Sequence, residues 1–371
     1  MKDSAGRSNG IERIGNRGQS SMRCPTLKQL PPAPPDKSGW PWTEESPQLP
    51  AAMPDGKPWP RISIVTPSYN QGRFIEETIR SVLLQGYPDL EYLVMDGGST
   101  DSSVDIIRKY SPWLTDWVSE PDRGQAHAIN KGFSRATGDL LAWINSDDVY
   151  LPDALRSFAD QHVADPHAIL MGDVENFLEG ESRSWLTRQY NVSFLNMLLP
   201  DNEPWSWHQP GLFVPRSVNV LIGPLDEDLR YSFDADWLLR LLQRSTVSYL
   251  NTPVARFRVH GSAKTTAEYP AAVREGHQVL QRKYWAMVPG LDVAQGKALH
   301  SLRMAAIYLG YQPKHAFHWN RAAGVRQLIV AWWQYPRIVF RLDFLKLCRR
   351  AALPKWLFRS SPWRESPGRI T

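Results

Sequence analysis

Cysteine is scarce, long apolar runs are missing, and carboxylates thin out towards one end of the chain. Only Cys24 and Cys348 occur in 371 residues. They lie in opposite extensions, so no disulfide framework is expected, and a reducing compartment is. No stretch reaches the roughly 18–20 uninterrupted apolar residues that cross a bilayer. Gln327 to Phe340 comes nearest, and Gln334, Pro336 and Arg337 interrupt it. Residues 1–60 carry no apolar core of the secretory kind, so no signal peptide is expected there. The acid-poor end is Arg321–Thr371, with 11 Lys+Arg against 2 Asp+Glu, a net +9. The whole chain carries +5, so the remaining 320 residues sum to −4. A basic end on a mildly acidic body suits an anionic surface, either membrane or nucleic acid.

What is abundant is unevenly placed. Proline (30) and tryptophan (16) are both high. Residues 1–60 are rich in Pro, Ser, Gly and charge without apolar periodicity, which predicts a disordered leader. The length allows one large domain with extensions, or two domains.

The chemistry gathers where Leu140–Ile144, a short apolar strand, runs into Asn145-Ser146-Asp147-Asp148. Adjacent carboxylates repel and lose solvation, so a cation is the usual reason to tolerate them. One or two carboxylates with substrate phosphates in the other positions suit Mg²⁺ or Mn²⁺. The bland alternative is capping of a helix at Pro152–Val163 by Asp147, Asp148 or Asp153.

Two more polar loops precede this one. Arg61–Thr66 reads as a strand followed by the loop Pro67–Gly72. Phe74–Gln85 reads as a helix with Gly86 as its C-cap. Glu91–Met95 is the next strand, followed by the loop Asp96-Gly97-Gly98-Ser99-Thr100-Asp101 and a helix to about Tyr110. This alternation predicts a parallel sheet, whose ligands bind beyond the carboxyl ends of its strands. All three polar loops fall at such ends.

Further along, Glu120–Gly132 joins a strand to a helix, and Arg123 and Lys131 suit a diphosphate or simply a solvated face. Ala168–Gly172 reads as a strand and Asp173–Asn202 as variable loop. Trp205 and Trp207, before a strand at Leu212–Val214, suit either a sugar face or core packing. Asp234 and Asp236 open an apolar-faced helix, where the macrodipole favours an ionised carboxylate. Val254–Val259 is the last strand expected before Pro270–Gly310, which reads as helical. Arg258 and Lys264 suit either a leaving diphosphate or pairing with the acidic cluster.

Thr66-Pro67-Ser68-Tyr69-Asn70, Asp96–Asp101 and Asn145–Asp148, in that order and spacing, resemble the family-two inverting glycosyltransferases of GT-A fold. The resemblance runs from about Arg61 to Thr265. It implies an α/β fold, a mostly parallel sheet flanked by helices, with a nucleotide-binding half and an acceptor half. Thr66, Pro67 and Tyr69 would line the base pocket, and Asp96 would bond the base or ribose. Asn145 to Asp147 would stand for the family's Asp-x-Asp element, with Asp147 as metal ligand and His260 completing the shell of Mn²⁺ or Mg²⁺. Gln125, Asn130, Lys131, Asn145, Ser146, Gln209 and Trp237 complete the expected substrate-binding set. Alignment on the following Leu-Arg-Leu puts the family's catalytic Asp on Asp234 and replaces its preceding Glu by Phe233. Asp234 is then the base, and Asp236 orients the acceptor or the local loop.

The implied reaction is a single displacement. A nucleotide-diphosphate sugar, UDP-linked, gives its sugar to a saccharide or lipid-linked acceptor with inversion. A polysaccharide pathway of the cell envelope and a cytoplasmic enzyme, peripheral at the inner face of the membrane, follow by analogy. The expected organisation is a leader at 1–60, a catalytic domain at 61–265 and a helical basic and aromatic extension at 266–371. An anionic membrane is the expected partner of 321–371, and nucleic acid is not. A sugar nucleotidylyltransferase would share the sheet and metal, but Pro67-Ser68-Tyr69-Asn70 lacks its Gly-rich phosphate cradle. A non-catalytic carbohydrate-binding protein would leave the two acidic clusters unexplained.

Overall fold

The computed structural model describes residues 12–13, 22–198, 205–264, 268–288, 293–308, 321–340 and 342–352. The chain divides into two compact units. The first comprises residues 1–192 and 206–258, the second 193–205 and 259–371.

Among the described residues the first unit is built on ten strands: β1 (Glu12–Arg13), β2 (Ile62–Ser68), β3 (Leu90–Asp96), β4 (Asp116–Ser119), β5 (Leu140–Trp143), β6 (Val149–Tyr150), β7 (Ile169–Leu178), β8 (Ser184–Thr187), β9 (Leu212–Pro215) and β10 (Val247–Val259). Their order across the sheet is β1-β4-β3-β2-β5-β9-β7-β10-β6, with β8 paired to β7. Strands β4, β3, β2 and β5 are parallel, and the β5–β9, β9–β7 and β10–β6 pairings are antiparallel. The helices of this unit are α1 (Ile75–Leu83), α2 (Ser103–Tyr110), α3 (Gln125–Arg135), α4 (Ala154–Ala164), α6 (Arg216–Ile222) and α7 (Phe233–Leu242), while α5 (Phe194–Leu198) belongs to the second.

Every residue of β2 and β3 is buried, and their polar members are paired inside, Ser63 with Glu91, Thr66 with Tyr92 and Ser68 with Asp96. Helix α3 lies close over β2, since a Cβ on Gly132 would collide with the Val65 side chain. From β4 the chain crosses back over α3 to place β5 on the far side of β2. The strand order therefore reverses between β2 and β5, and a crevice opens beyond their carboxyl ends. The loops after Ser68 and Trp143 border that crevice. This is the α/β arrangement implied by the resemblance.

Two stretches differ from their expected form. Residues 173–187, expected as loop, form the end of β7 and its hairpin partner β8, with Asn176 opposite Trp185. Residues 22–60, expected to be disordered, are packed. Met22 bridges Leu90, and Cys24, Leu30, Trp42, Leu49 and Trp59 are buried. Burial pushes the Cys24 thiol up to about 12. The segment has little secondary structure of its own, so its carbonyls need outside donors. Arg80 of α1, fully buried, supplies them: its guanidinium donates to the carbonyls of Pro31 (2.8 Å), Pro41 (3.0 Å) and Trp42 (3.0 Å) and lies over the Trp42 ring. Arg80→Met strands these acceptors and is expected to cost about 3 kcal/mol of stability. Urea unfolding measures the loss, and limited proteolysis within 31–42 should accelerate with it.

The second unit contains the helices Tyr269–Val279, Val293–Tyr308, Arg321–Gln334 and Leu342–Ala352. Ala298, Leu302, Ala305, Leu328, Ala331, Ile338, Phe344 and Leu347 form its core. The helix before Pro336 ends at Gln334, and Pro336–Phe340 is a 3-10 turn, as a proline break requires. No helix among the described residues is long and apolar enough to cross a membrane. His277 stacks on His300 with centroids 3.6 Å apart, and Trp285 stands edge-on to it. Burial, helped by the Lys297 cation, pushes the His277 imidazole from 6.5 down to about 4. A histidine held neutral adds stability above its ordinary value and loses it as pH falls towards the lowered one. The melting temperature should therefore fall between pH 6.5 and about 4, and His277→Phe, which keeps the ring contacts, should flatten that slope.

Candidate active site

The carboxyl edge of the sheet is organised by register. Ser68, Asp96 and Ser119 are neighbours across β2, β3 and β4. Both serine hydroxyls donate to the Asp96 carboxylate, at 2.9 and 2.7 Å. Asp96 also accepts from the backbone N–H of Gly98 and Ser99 and from the Ser99 hydroxyl. Five donors saturate the two oxygens of a carboxylate. Asp96, fully buried, thus shapes the loop 97–100 here and does not face the crevice with a spare oxygen. The same loop is tied to the one after β2: the Ser99 hydroxyl accepts the Asn70 N–H, and the Asn70 amide oxygen accepts the Thr100 N–H.

Of the three residues expected to line a base pocket, one is open to it. Thr66 is buried and its hydroxyl meets the Tyr92 hydroxyl at 3.0 Å, inside the core. Pro67 is also buried. Tyr69 is 62% exposed at the crevice rim.

At the end of β5, the Asn145 side chain accepts from the Gln125 amide at 2.7 Å and donates to Asp148 at 3.3 Å. Gln125, Asn145 and Asp148 therefore form one chain from α3 across the turn. Ser146 and Asp148 are buried, and Asp147 is half-buried. The Asp148 carboxylate accepts the Arg258 N–H, and burial, then the Asp147 charge, push its pKa well above the ordinary carboxylate value. The Arg258 guanidinium donates to the Asp147 carbonyl at 3.0 Å and pairs with Glu77 at 2.8 Å, between the rings of Phe74 and Phe177. Arg258 is thus a buried clamp on the acidic turn, with its charge already matched. The turn is fixed from both sides, and Asp147 is the carboxylate of it that keeps access to solvent.

The other expected cations are also matched. Lys131 pairs with Glu120 at 2.9 Å, and Arg123 pairs with Glu227. Asn130 donates to the Leu225 carbonyl and to Glu227, and accepts the Leu225 N–H. Asn130 and Lys131 hold the loop 225–227 and the end of β4 to α3, rather than facing a ligand. Among the described residues no group of three His, Cys, Asp or Glu side chains gathers around one point.

Trp143, which sequence reasoning passed over, joins the two acidic clusters. Its ring packs on Trp237 at 5.0 Å, on Phe133 at 6.0 Å and on Phe233 at 6.4 Å. Its carbonyl accepts from the Gln209 amide at 2.9 Å, while the Gln209 oxygen is buried without a partner. Trp237 is fully buried and donates its indole N–H to Asn219, so it is a core residue and not a substrate contact. Phe233, standing where the family carries Glu, seats the first turn of α7 on the end of β5, two residues before Asn145. Asp234 follows it, partly exposed, and accepts the Ala235 N–H at 2.7 Å. Asp236 is buried and pairs with Arg240 at 3.0 Å, and Arg240 donates to the carbonyl of Ile222. Of the two carboxylates, Asp234 can meet an acceptor and Asp236 fixes the α6–α7 connection.

Trp207 is half-buried. His208 bonds Asn176 and packs on Phe257, a structural use. Trp205 and His260 belong to the second unit, where the His260 imidazole bonds the Ser262 hydroxyl at 2.8 Å.

Known proteins resemble this chain over the same part. Residues 63–218 match the family described as Glycosyl transferase family 2, a span that takes in all three crevice loops and Gln209 and stops before Asp234. An uncharacterized glycosyltransferase of Nostoc sp. is 25% identical over 233 residues, covering 58% of this chain and 72% of that one. A PGL/p-HBAD biosynthesis glycosyltransferase of Mycobacterium bovis is 29% identical over 218 residues, covering 56% of this chain and 80% of its own. Among solved structures, S. aureus TarS 1–349 in complex with UDP aligns with a TM-score of 0.49 and 15% identity, over 78% of this chain and 88% of that one. It is through residues 63–218, which carry all three loops at the sheet's carboxyl edge, that the chain resembles glycosyl transferase family 2.

Proposed function

We propose that this glycosyltransferase moves a sugar from a nucleotide-diphosphate sugar, UDP-linked, to a hydroxyl of a saccharide or lipid-linked acceptor, with inversion. The observation that carries the proposal is the coupling through Trp143. Its strand ends in the turn that presents Asp147, and its ring seats the helix turn that presents Asp234. Two carboxylates with solvent access thus flank one crevice, one suited to a cation and one suited to a base.

Asp147 would hold the divalent ion. One half-buried carboxylate with access to solvent, its backbone carbonyl pinned by Arg258, fits an ion that takes its other oxygens from water and phosphate. Mn²⁺ or Mg²⁺, when bound, supplies charge to stabilise the departing diphosphate. Tyr69 offers a ring to the base. Asp234 takes the proton from the acceptor hydroxyl as that oxygen attacks the anomeric carbon from the face opposite the nucleotide. A nucleotide-activated donor places the reaction on the cytoplasmic side of a membrane.

Calorimetric titration of UDP with and without Mn²⁺ tests this. UDP should bind at least about tenfold more tightly with Mn²⁺, and Asp147→Ala should remove that difference. A Mn²⁺ effect undiminished in Asp147→Ala would overturn the ligand assignment. Binding of GDP or dTDP in place of UDP would change the donor alone, and binding of none would overturn the proposal.

A further inference from the structure

The helix Arg321–Gln334 is apolar on two faces, and among the described residues only one of them is covered. Its inward face, Leu328 and Ala331, packs with Ala298, Leu302 and Ala305 in the core of the second unit. Its outward face carries Val325, Ile329, Trp332 and Trp333, and Trp333 is 82% exposed, Ile329 58% and Trp332 54%. Residues 322, 325, 326, 329 and 333 follow the three-and-four spacing of one helical stripe. A helix at the surface of a soluble protein ordinarily turns polar residues outward. Here the stripe is interrupted by Arg326 and followed by Arg337, both exposed. The helix Leu342–Ala352 repeats the arrangement. Phe344 and Leu347 share the same core, while Leu345, Lys346 and Arg349 are exposed.

We propose that this outward face docks on an anionic lipid bilayer. Exposed aliphatic side chains enter the acyl boundary, tryptophan rings lie at headgroup depth, and arginine and lysine reach anionic headgroups. Charge complementarity selects this occupant. A second copy of the chain would bring like-charged rims together. A nucleic acid would pair with the cations and stack on Trp332 and Trp333, but it offers nothing to Val325, Ile329 and Leu345. The net +9 of Arg321–Thr371 adds to the same attraction.

The test is flotation of the full chain with vesicles of phosphatidylcholine alone or with phosphatidylglycerol at about one quarter of the lipid. The wild type should float with the anionic vesicles, much less with the neutral ones, and less in high salt. The triple variant Ile329→Ser, Trp332→Ser, Trp333→Ser should bind the anionic vesicles at least about tenfold more weakly. A cation near an anionic surface strengthens binding about fivefold. Arg337→Gln with Lys346→Gln should therefore lose about 25-fold on anionic vesicles and little on neutral ones. All these positions are exposed, so the variants should melt with the wild type. Equal flotation of wild type and triple variant would overturn the proposal. So would a dimer in sedimentation equilibrium that the triple variant dissolves, which would make the face a self-interface. A gel shift of single-stranded RNA lost in the triple variant, without vesicle binding, would assign the face to nucleic acid.

Discussion

Asp234→Asn is expected to lower the transfer rate about 10³-fold or more while leaving nucleotide affinity within about twofold. The substitution is nearly isosteric. An asparagine oxygen can still accept the Ala235 N–H that the Asp234 carboxylate accepts now, and Phe233 keeps the turn seated on Trp143. Only the capacity to take a proton is lost. Asp236→Asn behaves differently, because Asp236 is buried against Arg240. Removing one member of such a pair leaves a buried charge unmatched and costs about 3 kcal/mol or more. Its loss of activity should track its loss of folded protein. Single-turnover rates beside unfolding curves for both variants decide the assignment. An inactive, stable Asp236→Asn beside an active Asp234→Asn would exchange the two roles.

The backbone of the crevice was legible because its causes are local. Strands buried on both faces read as apolar runs, and turn-forming residues at their carboxyl ends mark the loops. The direction in which a side chain points, and its partner, are not local. Lys131 finds Glu120 eleven residues away, but Asn130 meets Glu227 across 97 residues and Arg258 meets Glu77 across 181. Residue type was therefore a poor guide to role. Thr66, Asn130, Lys131 and Trp237 are suitable types at suitable places, and each is turned towards the protein. Trp143 escaped notice for the converse reason, since a tryptophan inside an apolar strand looks like ordinary core. Residues 22–60 were misread because proline-rich composition shows that a segment lacks secondary structure, not that it lacks packing. Arg80, inside α1, is what orders it, and nothing near residues 31–42 announces that donor.

Arg258→Met is the substitution that separates holding the acidic turn from touching a phosphate. The guanidinium lies between Phe74 and Phe177, so methionine fills much of the same space while removing the donors to the Asp147 carbonyl and to Glu77. Losing one side of this largely buried pair is expected to cost about 3 kcal/mol in urea unfolding. Metal-dependent nucleotide binding should weaken at least about tenfold, because the turn that aims Asp147 is no longer pinned. Arg258→Lys keeps a charge for Glu77 and should recover much of the stability. A single ammonium lacks the planar fork that serves Glu77 and the Asp147 carbonyl together, so the binding defect should persist. If Arg258 acts through Asp147, the defect appears in UDP titrations with Mn²⁺ and disappears without it. A guanidinium that met the diphosphate directly would weaken UDP to the same degree under both conditions. That outcome would require the clamp to open when substrate arrives.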